Sequence, residues 1–376
     1  MKTVRRYFFR EISGSVAFVA AAFLGLFFFI DFVAESGSVG RGSYTLGLAA
    51  LYSVLMVPSH LYELAPISVL IGSIYALARM AQSSEYTIFR TAGLGPRRAL
   101  RLLTQLGLAF CALTFVVGDW IAPYATQAAL QLQARHKGGR DAGQMGIWLK
   151  DRQAGPAGEH SFSVNIAKVL PDGRLSGVRI FEFDAAGRPV RRIEAQAATI
   201  GGSGAWELVD VQHLTWPAPI EAAAAERGAP PLRLVQERHE RLIWRTGLTA
   251  SVVAAAVMPH TLTTMDLARY VRHLSANEQA AQEYEIQFWK RALYPLACLV
   301  MMGLALPFAY LHARGGGISL KVFGGIMLGI SFVLLNNVAA HLGMLRNWTP
   351  WIAAATPSLL YMMLSMSAFG WLVRYR

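Results

Sequence analysis

The sequence predicts a polytopic α-helical membrane protein of six transmembrane helices, with an all-β domain inserted between the third and the fourth. Three observations predict it. Runs of about 20 apolar residues, the length a helix needs to cross a bilayer, recur in both the first and the last third of the chain. Hydrophobic residues make up 54% of the 376 and charged residues only 15%, which excludes an ordinary soluble protein. From Tyr124 to Leu262 no such run occurs, and short segments of alternating or β-rich character replace it. The domains are therefore drawn at 1–123, 124–262 and 263–376.

The formal net charge is +12. Tyr124 to Met265 holds 16 Lys/Arg against 13 Asp/Glu, whereas the rest holds 19 against 10. Most of that excess lies beside the apolar runs, where it sets topology. It does not form a basic groove for nucleic acid. The two cysteines, Cys111 and Cys298, both fall inside apolar runs and cannot build a disulfide framework or a metal site.

Lys2, Arg5, Arg6 and Arg10 place the N-terminus on the cytoplasmic side. The first span is read from Ile12 to Val33, a retained helix and not a signal peptide, with Asp31 and Glu35 at its outer end. Ser36 to Tyr44 is a Gly/Ser-rich turn with one cation, Arg41. Thr45 to Ala81 is too long for one straight span and carries Pro58 and Pro66. It is therefore expected to divide into an amphipathic piece, Leu46–Val57, and a second span, Leu61–Met80. The third span is Leu102–Ile121, with Trp120 at interface depth.

Between spans two and three lies a cytoplasmic stretch, Met80 to Arg101, in which a short amphipathic helix over 83–92 is expected. Ser83 or Ser84 can cap it, and Glu85 falls in its first turn, where the helix dipole favours negative charge. Tyr86, Phe89 and, less regularly, Ile88 form its apolar stripe, and Gly93, Gly95 and Pro96 end it. Such a helix is a handle for a soluble partner; it could equally lie on headgroups at the membrane surface.

The middle domain reads as six strands: 146–150, 160–170, 175–183, 190–200, 206–216 and 238–245. Turns such as Pro171-Asp172-Gly173 and Gly201–Gly204 separate them, and Pro217 to Pro231 is a long loop. A β-sandwich or jelly roll is expected, outside the membrane. Thr263 to Asn277 is a return helix with a Thr cap at Thr263 or Thr264. Spans four to six are read at 292–311, 320–342 and 351–373, with a glycine turn at 314–317 and both termini cytoplasmic.

No phosphate-gripping Gly-x-x-x-x-Gly-Lys-Ser/Thr loop, zinc-protease helix or serine-hydrolase pattern is present. Catalytic residues and metal ligands are accordingly none, and no cofactor is expected on this chain. Asp31, Glu63 and Asp119 all sit near outer ends of spans, so no ionisable path crosses the bilayer. The glycines of spans four and five (Gly303, Gly324, Gly325, Gly329) suit close helix packing, or helices that slide to open a gate.

Several motifs carry a resemblance. Tyr62-Glu63-Leu64-Ala65-Pro66, Leu70-Ile71-Gly72, Ser84-Glu85 and Arg90-Thr91-Ala92-Gly93 come first. Gly118-Asp119-Trp120-Ile121-Ala122-Pro123, Trp148-Leu149-Lys150-Asp151 and Leu262 to Leu267 follow. Phe288-Trp289-Lys290, Pro295-Leu296 and Met301 to Phe308 complete the order. In that order and spacing they resemble the LptF/LptG family, the membrane subunits of the lipopolysaccharide export transporter, and lie closer to its LptG side.

The resemblance implies a permease of the bacterial inner membrane whose jelly-roll domain is periplasmic. The implied partners are an LptF-like permease, an LptB-like ATPase dimer that holds ATP and Mg, and an LptC-like membrane-anchored jelly roll, with lipopolysaccharide as substrate. Glu85 would contact the ATPase, with Tyr86, Phe89 and Arg90 filling or flanking its groove and Gly93 closing the helix. Family members can carry lysines at the outer end of the first span that attract lipid A phosphates. Here the matching positions are Asp31, Gly37 and Ser38, and only Arg41 is locally basic: either Arg41, with Asp31, forms the lipid-binding set, or the charge comes from the LptF-like partner, or phosphate recognition is weaker. The competing readings are the LptF paralogue or a permease for another large amphiphile, and a membrane-anchored sensor or scaffold with no ATPase partner.

Overall fold

A computed structural model of the chain describes residues 2–40, 42–93, 95–137, 146–155, 158–170, 174–201, 204–216, 235–257, 262–276, 281–310 and 318–375. Arg41, the 171–173 turn, the 217–231 loop and the 314–317 glycine turn lie outside the described residues. The chain divides into two units, one of Met1–Val39, Thr45–Ala129 and Gln282–Arg376, the other of Gly40–Tyr44 and Leu130–Ala281.

Among the described residues the first unit holds six helices long and apolar enough to cross a membrane. They are built on α1 (Lys2–Ser36), α2 (Leu46–Gln82), α4 (Pro96–Val116), α8 (Gln282–Ala305), α9 (Ile318–Leu345) and α10 (Pro350–Tyr375), with the short α3 (Glu85–Thr91) between α2 and α4. The expected division of the second span does not occur. α2 runs for 37 residues straight through Pro58 and Pro66. Proline removes one backbone bond, and neighbouring helices and local adjustments in a bundle can make good that loss. Pro66 is buried and opens the most enclosed part of the helix, where Pro66 to Ile74 are all buried.

α2 is the axis of this unit, and glycines let its neighbours approach. A Cβ on Gly72 would meet the Val16 Cα at 2.5 Å, so α1 lies backbone-close against α2. On the α9 side, Gly325 and Gly329 make room for the side chains of Ile74 and Ile67. The core between these helices is aliphatic, with Leu70, Ile74, Leu77, Leu103 and Met301 buried.

The third span extends beyond the expected Ile121. α4 passes through a π-helical turn, Val117–Ile121, and continues as α5 (Ala122–Lys137). The cause is local. Gly118 lies on the face of the Tyr62 ring, where any Cβ would sit 2.2 Å from a ring carbon. The Gly118 carbonyl accepts a 2.6 Å bond from Arg291 Nη2, and the same guanidinium lies 6.0 Å over the Tyr62 ring. Tyr294 stacks near Tyr62 at 5.0 Å and donates to the Glu63 carbonyl. A widened turn that re-aims a carbonyl is what such π segments are used for.

In the second unit six antiparallel strands pair in chain order: β1 (Ile147–Gly155), β2 (Gly158–Val169), β3 (Leu175–Phe183), β4 (Pro189–Ile200), β5 (Ala205–Thr215) and β6 (Val235–Arg245). The described strands thus form a meander; the crossover that marks a jelly roll in the strict sense is not among the described residues. One face is apolar through Leu149, Val164, Ile166, Val178, Ile180, Ile193 and Val211.

The sheet curls on itself. Phe162 of β2 and Trp244 of β6 come within 5.8 Å although three strands separate them in pairing order. At the seam Asp151 of β1, 3% exposed, accepts bonds from Thr246 Oγ1 (2.6 Å), the Gly247 N–H (2.9 Å) and Gln153 Nε2 (3.0 Å). α6 (Ala250–Val257) and α7 (Thr264–Ala276) follow. Thr263 caps α7: its Oγ1 accepts the Asp266 N–H at 3.1 Å, and its hydroxyl donates to the Asp266 carboxylate at 2.8 Å.

Candidate partner-docking helix

α3 exists because the chain must reverse between two long apolar helices and is given residues that permit it. Ser84 adopts φ +61 and Gly93 φ +95, so left-handed residues bracket the helix. Ser84 contributes its carbonyl to the Ile88 N–H at 3.1 Å. Ser83 does not cap α3. Its hydroxyl bonds back to the Arg79 and Met80 carbonyls, so it closes α2. Beyond the helix the Gly93 carbonyl accepts from Arg98 Nη1 at 2.9 Å, and Pro96 opens α4.

The seven residues present two faces. Tyr86 is 2% exposed and meets Tyr310 edge-on at 5.2 Å, inside the core of its own unit. It is therefore the root of the helix; as placed here it has no surface to offer a groove. Phe89 is half-buried, with its ring 6.0 Å from that of Tyr7 on α1. Glu85 stands at the edge, and its Oε2 accepts the Tyr7 hydroxyl at 2.9 Å. One turn further along α1, Glu11 pairs with Arg79 near the end of α2. The inner end of α1 is thus latched to the α2–α3 corner at two points.

The other face carries Thr87, Thr91 and Ile88, the last 62% exposed. Arg90 lies in the helix, but its side chain is outside what the structure describes. The exposed isoleucine breaks the expected stripe: Tyr86 and Phe89 turn inward while Ile88 turns outward. Nothing in the spacing marks Tyr7 as a partner of Glu85, since 78 residues separate them. Around the helix, exposed Arg5, Arg6, Arg10, Arg97 and Arg101 make a basic surround. The helix thus offers one exposed apolar side chain, Ile88, with the Glu85 carboxylate at its edge.

The second set of expected residues fares differently. Asp31 is not free at the end of α1: it pairs with His60 Nε2 of α2 at 2.7 Å. That carboxylate joins two helices and supplies no positive charge. Arg41 lies outside the described residues.

Residues 6–374 match the family model described as lipopolysaccharide export system permease LptF/LptG. The chain belongs to that family. Among curated proteins it is similar to the lipopolysaccharide export system permease protein LptG of Haemophilus influenzae, at 25% identity over 97% of each chain. It is also similar to the protein of that name from Escherichia coli K12, at 27% identity over 96% of each. Membership makes this a transport subunit and not an enzyme, and its motifs gain a structural account. Tyr62, Gly118 and Tyr294 fasten three helices, Asp151 closes the curled sheet, and Thr263 with Asp266 starts α7.

Proposed function

We propose that this chain is the LptG-like permease of a lipopolysaccharide exporter of the bacterial inner membrane. It works with an LptF-like permease, an LptB-like ATPase dimer and an LptC-like jelly-roll subunit. The observation that carries the proposal is the rooted α3 with Ile88 outward and Glu85 at its edge, in a chain of this family that has no nucleotide loop of its own. Basic residues at both termini and around α3 support an orientation with α3 and the termini cytoplasmic and the β unit periplasmic.

The chemistry of lipid export on this chain is mechanical. ATP and Mg belong to the ATPase. A partner that displaces α3 moves whatever α3 holds, and α3 holds α1 through Tyr7 and the core through Tyr86. α1 is the least enclosed span, with Phe18, Leu26, Phe29, Ile30 and Val33 exposed along it. α9 shows a similar outward row at Leu320, Phe323, Met327, Ile330 and Leu334. Two apolar faces of this kind suit walls that meet a second permease and part to admit a lipid. A shift of α1 relative to α9 then changes the space offered to the acyl chains.

The test is co-purification and export. Glu85→Arg in the full complex should lose the ATPase and leave lipopolysaccharide at the inner membrane. Normal retention and normal export in that variant would remove the proposal.

A further inference from the structure

A concavity of about 290 Å³ opens between α8 and α9, lined on one wall by Glu283, Gln287 and Lys290 and on the other by Asn337 and His341. Ile286 and Met344 supply apolar lining. Lys290 reaches across it, and its ammonium donates to Asn337 Oδ1 at 3.3 Å. Among the described residues no carboxylate lies within ion-pair distance of that ammonium. Glu283, on the same wall, accepts from Gln287 Nε2 at 3.4 Å.

Depth matters here. Lys290 stands eight residues into α8, counted from Gln282, where the inserted unit ends. Span four begins only at Ala292, so Lys290 lies just outside it, at the level of the headgroup layer. Asn337 stands the same distance from the matching end of α9, and His341 one turn nearer that end. A half-buried cation at that level is a place for an opposite charge, and Glu63, the carboxylate that attracts it, stands beyond ion-pair distance. The wall of α1 lacks that charge, because Asp31 is acidic and already paired with His60.

We infer that the α8–α9 concavity binds a phosphoryl group of an anionic lipid. Lys290 carries the positive charge, Asn337 and His341 offer further polar contacts, and Ile286 and Met344 sit against the lipid's apolar part. The inference rests on the proposed export function for its choice of lipid, but not for its chemistry. A bidentate guanidinium is not required; a lysine serves as a point charge for phosphate.

The test uses the full-length chain with its co-purified partners in phosphatidylethanolamine nanodiscs. Affinity is measured for lipopolysaccharide, for the same lipopolysaccharide stripped of its lipid A phosphates, and for phosphatidylglycerol. Lys290→Gln keeps a donor for Asn337 while removing the charge, Lys290→Arg keeps the charge, and a melting curve checks that both fold. The expected result is a preference of the wild type for the phosphorylated lipids of at least about tenfold, lost in Lys290→Gln and kept in Lys290→Arg. Loss confined to lipopolysaccharide assigns the site to the exported lipid, and loss confined to phosphatidylglycerol assigns it to a resident phospholipid; either supports a phosphoryl site. An undiminished preference for both in Lys290→Gln overturns it. A wild type that binds phosphatidylglycerol and ignores lipopolysaccharide refutes the export function while leaving the phosphoryl site standing.

Discussion

The hydroxyl of Tyr7 donates a 2.9 Å hydrogen bond to Glu85, tying the first residues of the first span to the helix that lies between the second and third. The bond makes α1 and α3 parts of one lever. On the proposed function, force that reaches Glu85 from an ATPase arrives at α1 without passing through α2.

Tyr7→Phe tests that lever. The substitution keeps the ring against Phe89 and removes only the hydroxyl. A hydrogen bond to a charged group is worth about 1.5–3 kcal/mol, so the Glu85 side chain should lose its fixed position without loss of fold. The expected outcome is a complex that retains its ATPase but releases about tenfold less lipid per ATP hydrolysed, measured together in reconstituted proteoliposomes. An unchanged ratio would show that α1 takes its motion from elsewhere.

Gly72→Val tests the axis. Its added carbon would fall 2.5 Å from the Val16 backbone, which no side-chain rotation relieves. Overpacking of this kind costs about 1–3 kcal/mol. The detergent-solubilised protein should melt several degrees lower, and the gap between α1 and α2 should widen in distance measurements between spin labels placed on them.

Asp151→Ala tests the seam of the curled sheet. The carboxylate takes bonds from Thr246, Gly247 and Gln153, and removing it takes their shared acceptor from the seam. The loss should cost about 1–3 kcal/mol in all, because the donors are part-exposed and Gln153 keeps the Arg245 carbonyl. Limited proteolysis of the full chain should cut within the β unit at least about tenfold faster, while the six spans stay protected.

The β unit should also respond to acid through His213. Burial lowers its pKa first, with help from the positive charges of Arg191 and His239, and its Nε2 is buried with no hydrogen-bond partner among the described residues. The folded state therefore prefers the neutral ring. That contribution is complete above the ordinary histidine range and is lost as pH falls through it, because the unfolded chain takes up the proton first. Denaturant midpoints of the β unit should drop on acidification, and His213→Phe should flatten that drop. An identical slope in the variant would assign it to other groups.

How much of this was legible in the residues can be argued element by element. Apolar runs and flanking arginines gave all six spans, and the six strands fell where alternation and turns placed them, to within a few residues except at β1. Read locally, Pro58 and Pro66 divide α2, whereas packing around Pro66 decides whether a proline breaks a buried helix. The π turn depends on Tyr62 meeting Gly118, a contact between distant positions that no local window contains. At the docking helix the position of Glu85 was readable from the turn chemistry. Which of Tyr86, Ile88 and Phe89 faces out was not, because a seven-residue helix has too few turns to fix a face and the choice is made by Tyr310 and Tyr7.

The measurement that bears most directly on α3 as the docking surface uses Ile88→Asp. That side chain is 62% exposed and sits apart from the core that roots Tyr86, so the chain's own fold should be untouched, with an unchanged melting temperature. Covering an isoleucine in an interface contributes about 2 kcal/mol, and a buried unpaired carboxylate opposes docking further. The account predicts that the ATPase no longer co-purifies with Ile88→Asp and that ATP-driven lipopolysaccharide release falls at least about tenfold. Full release by an intact Ile88→Asp complex would contradict it.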